Sequence, residues 1–124
     1  MRRARDDLRV ARHEMALPPE EVVTTAVCFH CQQFVEKALK AFLVFHSADF
    51  PRTHNLEYLK ELCARIDADF TSLDVEPLEL YAVEIRYPGD YPIPMVEEAA
   101  ECLKITEVIR EFIEQKLGVS FESV

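Results

Sequence analysis

Val27-Cys28-Phe29-His30-Cys31-Gln32-Gln33-Phe34-Val35-Glu36-Lys37-Ala38-Leu39-Lys40-Ala41-Phe42-Leu43 is the stretch on which the reading of the fold turns. One apolar stripe runs through Val27, Cys31, Phe34, Ala38 and Phe42, and a neighbouring one through Cys28, Val35, Leu39 and Leu43. Both follow the three- and four-residue spacing of a helix, and together they cover a face wide enough for a helix at the centre of a bundle. The remaining side carries Gln32, Gln33, Glu36, Lys37 and Lys40. Upstream the pattern extends to about Glu20. Pro18-Pro19 close whatever precedes it, and Glu20 and Glu21 suit a first helical turn. Downstream it reaches about His46.

The rest of the chain falls into place around this helix. Ala4, Leu8, Ala11 and Met15 give a first helix over about residues 2 to 16 with a narrow apolar stripe. After a loop through Ser47 to Arg52, Thr53 or Asn55 caps a third helix that turns Leu56, Leu59, Leu62, Cys63 and Ile66 inward. Ala68 to Pro77 reads as an irregular connection with a short turn at Phe70 to Leu73. A further helical segment is expected from about Leu78 to Arg86, and a stiff three-proline loop from Tyr87 to Pro94. The last helix starts near Met95, buries Val96, Ala99, Leu103, Thr106, Ile109, Ile113 and Leu117, and stops at Gly118. The expectation is an all-α, up-and-down four-helix bundle with an extra short helical segment between the third and last main helices. Residues 1–124 form one domain.

Composition agrees. The chain has 124 residues, 49% of them hydrophobic, and only two glycines. Folds built from many glycine-rich turns are disfavoured by that scarcity, and P-loop and dinucleotide-binding loops are excluded by it. The formal charge of −9 works against broad nucleic-acid binding, which needs many cations to neutralise phosphates. Arg2, Arg3, Arg5, Arg9 and Arg12 make the opening stretch the one basic region; a solvated helix face accounts for it more simply than an RNA-binding arm. No apolar run approaches a membrane span, and Met1-Arg2-Arg3 leads into charge instead of a signal-peptide core, so a cytoplasmic protein with reduced thiols is expected.

Candidate chemistry is sparse. Cys28 and Cys31 lie inside a helical pattern with no further ligand pair nearby, which points to small buried core residues and to no metal site or cofactor. His54, in Thr53-His54-Asn55-Leu56, is either part of a capping segment or a polar contact at an open end of the bundle. The most informative stretch is Glu84-Ile85-Arg86-Tyr87-Pro88-Gly89-Asp90-Tyr91. An Arg at a helix end, followed by an aromatic residue and a rigid loop, presents its guanidinium fork to phosphate or carboxylate, or else clamps another helix.

Three segments together resemble the HEPN domain of small prokaryotic proteins: Phe29 to Ala41, then Thr53-His54-Asn55-Leu56, then Arg86-Tyr87-Pro88. Asp7-Leu8 in the opening helix also fits, so the resemblance spans nearly the whole chain. It implies a helical bundle, usually a homodimer, paired with a small nucleotidyltransferase as one half of a toxin–antitoxin pair. Together the motifs suggest nucleotide or phosphate binding through Arg86, Tyr87, Gln33, Lys37 and Lys40. Active members of the family are metal-independent ribonucleases with an Arg-x4-6-His motif, Arg holding phosphate charge and His moving a proton. Here the residues five to seven places after Arg86 are Tyr91, Pro92 and Ile93, so the motif histidine is missing. The reading is therefore a partner- or nucleotide-binding module. The alternatives are a ribonuclease in which Tyr91 or His54 stands in beside Arg86, and a purely structural subunit.

Overall fold

A computed structural model describes residues 2–81 and 93–122. Four main helices carry the fold: α1 (Arg2–Met15), α2 (Thr24–Phe45), α3 (Leu56–Ile66) and α4 (Val96–Leu117). Two short 3-10 segments, Ala68–Ser72 and Glu76–Tyr81, lie between α3 and α4, and the described residues contain no strand. The all-helical bundle with an extra short segment before the last helix stands as read.

The wide apolar face of α2 is the reason it sits at the centre. Val27, Cys28, Cys31, Phe34, Val35, Ala38, Leu39, Phe42 and Leu43 are all buried, and α1, α3 and α4 each pack on them. Each fully buried large side chain of this kind contributes about 1.5–3 kcal/mol. Helix α1 closes on α2 through Ala4, Leu8 and Ala11. It runs antiparallel to α2, since Asp7 meets His30 while Glu14 accepts the Val23 N–H (2.9 Å). Helix α4 runs alongside α2 in the same sense: Thr24 Oγ1 donates to the Pro94 carbonyl (2.6 Å) and Cys28 Sγ to Cys102 Sγ (3.5 Å). The long stretch between α3 and α4 supplies the return that this arrangement needs.

The ends of the helices follow their local chemistry. Asn55 caps α3 by accepting the Tyr58 N–H at 2.9 Å. Gly118 ends α4 at φ +72°, where its N–H meets the Glu114 carbonyl (2.8 Å). After that turn Phe121 folds back into the core and stacks edge-on against Phe34, with ring centroids 5.1 Å apart. A second aromatic cluster joins Phe42 to Phe70 (4.4 Å) and Phe70 to Phe112 (5.0 Å), tying the first 3-10 segment to α2 and α4.

Several boundaries differ from the sequence reading. Glu20 and Glu21 belong to a separate 3-10 turn, Pro19–Glu21, and α2 begins at Thr24. The extended Val22-Val23 pair between them is β-branched and disfavours a continuous helix. The two glutamates therefore lie outside the first turn of α2. Ala68–Ser72 forms a 3-10 segment capped by Asp67, whose side chain accepts the Asp69 N–H (3.0 Å). The expected helix over Leu78 to Arg86 starts earlier, as the 3-10 segment Glu76–Tyr81, and the remainder of it lies outside the described residues.

The basic opening stretch contributes one structural clamp. Arg12 forms a two-pronged pair with Glu107 on α4 (Nε–Oε2 2.6 Å, Nη2–Oε1 2.8 Å) and also reaches Glu122 (2.5 Å). The Arg12 fork holds the Glu107 carboxyl below the usual carboxylate range against a partial burial penalty, with Arg110 adding a further hydrogen bond. That guanidinium is thus committed to α4.

Candidate functional site

Sequence patterning put Gln32, Gln33, Glu36, Lys37 and Lys40 together on the polar side of α2. The structure divides them. Gln32 and Glu36 are buried, at 0% and 4% exposure, whereas Gln33, Lys37 and Lys40 are only partly covered. The division arises because α1 and the segment entering α3 lie against either flank of that edge and bring Asp7 and His54 to it.

Two carboxylates organise the edge. Asp7 of α1, itself 7% exposed, accepts from His30 Nδ1 (2.7 Å) and from the Lys37 ammonium. One turn further along, Glu36 accepts from His54 Nδ1 (2.9 Å), from Lys40 Nζ (3.0 Å) and from Gln32 Nε2 (3.3 Å). Gln32 also donates to the His54 carbonyl (3.3 Å) and accepts from Gln33 Nε2 (2.7 Å). Burial alone pushes the Glu36 carboxyl up. The hydrogen bonds from His54, Lys40 and Gln32 outweigh it, so the group stays below the ordinary carboxylate range and is charged at neutral pH.

This arrangement has two chemical consequences. Among the described residues each lysine has one carboxylate partner, and its ammonium carries further N–H donors for another anion. Because a carboxylate only accepts, His54 uses Nδ1–H toward Glu36 and turns Nε2 outward on a side chain that is 59% exposed. A buried acid thus orients an exposed imidazole, the relation through which such groups are set up for proton transfer.

Of the residues proposed from sequence, Gln33, Lys37, Lys40 and His54 are brought to one edge of the bundle. Arg86, Tyr87 and Tyr91 lie outside the described residues. The described residues that flank them sit beside the first half of α2: Tyr81 against the Cys28 thiol and Pro94 on Thr24. Sequence reasoning missed Asp7 and Glu36 as organising groups. The signal was present for Glu36, since Gln32, Glu36 and Lys40 form an i, i+4 ladder. For Asp7 it was weak, because the residue borders a narrow apolar stripe and its partners lie 23 and 30 positions away.

The four cysteines are buried, Cys28, Cys31 and Cys63 as their helical spacing suggested and Cys102 in place of the expected Leu103, which is only partly covered. Burial pushes the Cys31 and Cys63 thiols up to about 12, which keeps them unreactive. Among the described residues, no group of three or more His, Cys, Asp or Glu side chains is arranged to hold a metal. No helix among them is long and apolar enough to cross a membrane.

The family model of the HEPN domain matches residues 1–116. The chain belongs to the HEPN domain family. A Methanocaldococcus jannaschii protein named "Putative toxin MJ1304" is 31% identical to it over 141 aligned positions, covering 96% of this chain and 89% of that protein. No solved structure matches the chain. Within the HEPN assignment, the paired-carboxylate edge of α2 falls on the Gln-Gln-x-x-Glu-Lys segment, and His54 on the Thr-His-Asn-Leu segment, that carried the resemblance.

Proposed function

We propose that this HEPN chain is a toxin-type binding module. It forms a homodimer, associates with a small nucleotidyltransferase as its partner, and takes a nucleotide or other phosphate on Gln33, Lys37 and Lys40 together with Arg86 and Tyr87. The observation that carries the reading is the pinning of Lys37 and Lys40 by the buried Asp7 and Glu36. On a chain of net charge −9, two ammonium groups fixed side by side with spare donors are suited to one local anion and unsuited to a long polyanion. The M. jannaschii relative, by its name, supports the toxin class. Arg86 follows Tyr81 by five positions, a length of chain that spans at most roughly 17 Å, and Tyr81 lies against Cys28 on the helix that carries Gln33.

Co-expression with the product of the neighbouring gene, followed by light scattering and a nucleotide-dependent melting assay, tests this. A stable complex with a small nucleotidyltransferase, and a thermal shift lost in Lys37→Ala with Arg86→Ala, are expected. Absence of both complex and shift overturns the proposal.

A second reading is favoured by one observation, the exposed imidazole of His54 oriented by Glu36. In that reading the chain is a metal-independent ribonuclease: His54 Nε2 takes the proton of the attacking 2′-hydroxyl and Arg86 holds the phosphate charge, with Tyr91 as the other candidate for the missing histidine. It predicts RNA cleavage in EDTA that Arg86→Ala and His54→Ala each abolish. Intact RNA across a range of pH ends it.

A further inference from the structure

At the end of the bundle away from Thr24, the last turns of α2 and α4 and the first turn of α1 enclose an open groove of about 780 Å³. Its floor is aliphatic, built by Ala41 and Val44 of α2 with Leu117 and Val119 on either side of the Gly118 turn. Val44 is 65% exposed, the adjacent Phe45 62% and Val119 49%, an apolar surface that an isolated soluble helix end does not need. Three cations rim it, Arg3 from α1 and Lys37 and Lys40 from the edge already described, against one carboxylate, that of the buried Glu36 paired to Lys40.

We infer that this groove is a docking surface for an acidic, amphipathic segment of a partner protein, one that sets an apolar side chain against Val44, Phe45 and Val119 and places carboxylates beside Arg3, Lys37 and Lys40. The inference rests on the partner-binding reading above, names the surface on which that partner docks, and makes the docked segment and a nucleotide alternatives at Lys37 and Lys40. Charge complementarity selects the occupant. A chain with 23 acidic and 14 basic residues repels acidic partners over most of its surface, so a groove whose lining carries three cations to one carboxylate beside an apolar floor sorts for them. Lys37 and Lys40 stand ready for this, because Asp7 and Glu36 hold them in place while leaving each further donors. The shape is that of helix-in-groove recognition, in which one or two apolar anchors supply most of the affinity and the charges set orientation. A nucleoside phosphate fits less well, since among the described residues Phe45 is the one ring lining the groove and the floor is otherwise aliphatic. A second copy of this chain also offers acidic and apolar groups near α4's first turn, where Ile93 and Met95 are exposed beside Glu97 and Glu98. That contact would join unlike ends and run on as an open chain instead of closing.

The test uses the full chain and the product of its neighbouring gene, the candidate partner under the reading above. Binding is measured by calorimetry at two salt concentrations, with light scattering on each variant alone. Val44→Asp and Arg3→Glu change exposed side chains and should leave the melting curve unaltered. Val108→Asp, 61% exposed on α4, is the control. Val44→Asp is expected to weaken the complex about 30-fold or more, as loss of a central anchor does. Arg3→Glu should weaken it by roughly ten-fold and flatten the salt dependence, and Val108→Asp should bind as the parent does. If the complex forms and both groove variants bind like the parent, the docking surface is wrong while the partner reading survives. If no complex forms, the partner reading falls and this inference with it. If the groove variants instead dissociate a homo-oligomer without altering partner affinity, a second copy covers the groove and the inference is overturned.

Discussion

Replacing Glu36 by alanine removes the acceptor on which three side chains converge: His54 at 2.9 Å, Lys40 at 3.0 Å and Gln32 at 3.3 Å. A fully buried ion pair broken on one side costs about 3–5 kcal/mol. Here the loss is smaller, because the Lys40 side chain is 24% exposed and that of His54 59%, so both can turn toward water. Gln32 has no such escape at 0% exposure, but it keeps the His54 carbonyl as a second acceptor. The expected cost is therefore about 2–3 kcal/mol. For a domain of this size that lowers Tm by roughly 10 °C. The sign with pH follows from the depressed carboxyl of Glu36. Its contribution is fully present above the unfolded value of about 4.3 and is lost as pH falls through the lower native value. Urea unfolding followed by circular dichroism, on parent and Glu36→Ala across that range, should give a constant gap at neutral pH that closes in acid. A gap under about 0.5 kcal/mol at neutral pH, the range of an ordinary surface change, would refute the reasoning. So would a gap that widens on acidification.

Other consequences follow from the same contacts. Arg12→Ala should cost about 1 kcal/mol by chemical denaturation, since the Arg12 and Glu107 side chains are 30% and 31% exposed, and the cost should shrink in high salt. Phe34→Ala empties a site with 0% exposure that packs on Phe121, and should cost about 3–5 kcal/mol in the same assay. All four cysteines are buried, so a thiol reagent should label none in the native protein and all four once it is unfolded. Fast native labelling of any of them would contradict the packing.

The bundle was readable because its central helix carries two adjacent apolar stripes, and no other element pattern buries Val27, Phe34, Leu39 and Phe42 together. Phe121 was not readable, because its burial depends on the left-handed turn at Gly118 folding the chain back, which no periodicity announces. The start of α2 was misplaced because proline and acidic residues signal a helix N-terminus without distinguishing a single 3-10 turn from a long helix. The site divided along the same line. Lys37, Lys40 and Gln33 were visible as the polar face of one helix. The buried role of Glu36 and Asp7 came from α1 and the α3 entry covering part of that face, a consequence of tertiary packing that local pattern does not carry.

The central claim is that the Gln33–Lys37–Lys40 edge and the guanidinium of Arg86 serve one site. Paired nitroxide labels at Gln33→Cys and Arg86→Cys, read by electron paramagnetic resonance, test it most directly, and the buried native cysteines leave the labelling confined to those two positions. The account predicts strong dipolar broadening between the labels, within a subunit or across a symmetric dimer contact. Spectra equal to the sum of the two singly labelled proteins, in the free chain and in its complex alike, would contradict it.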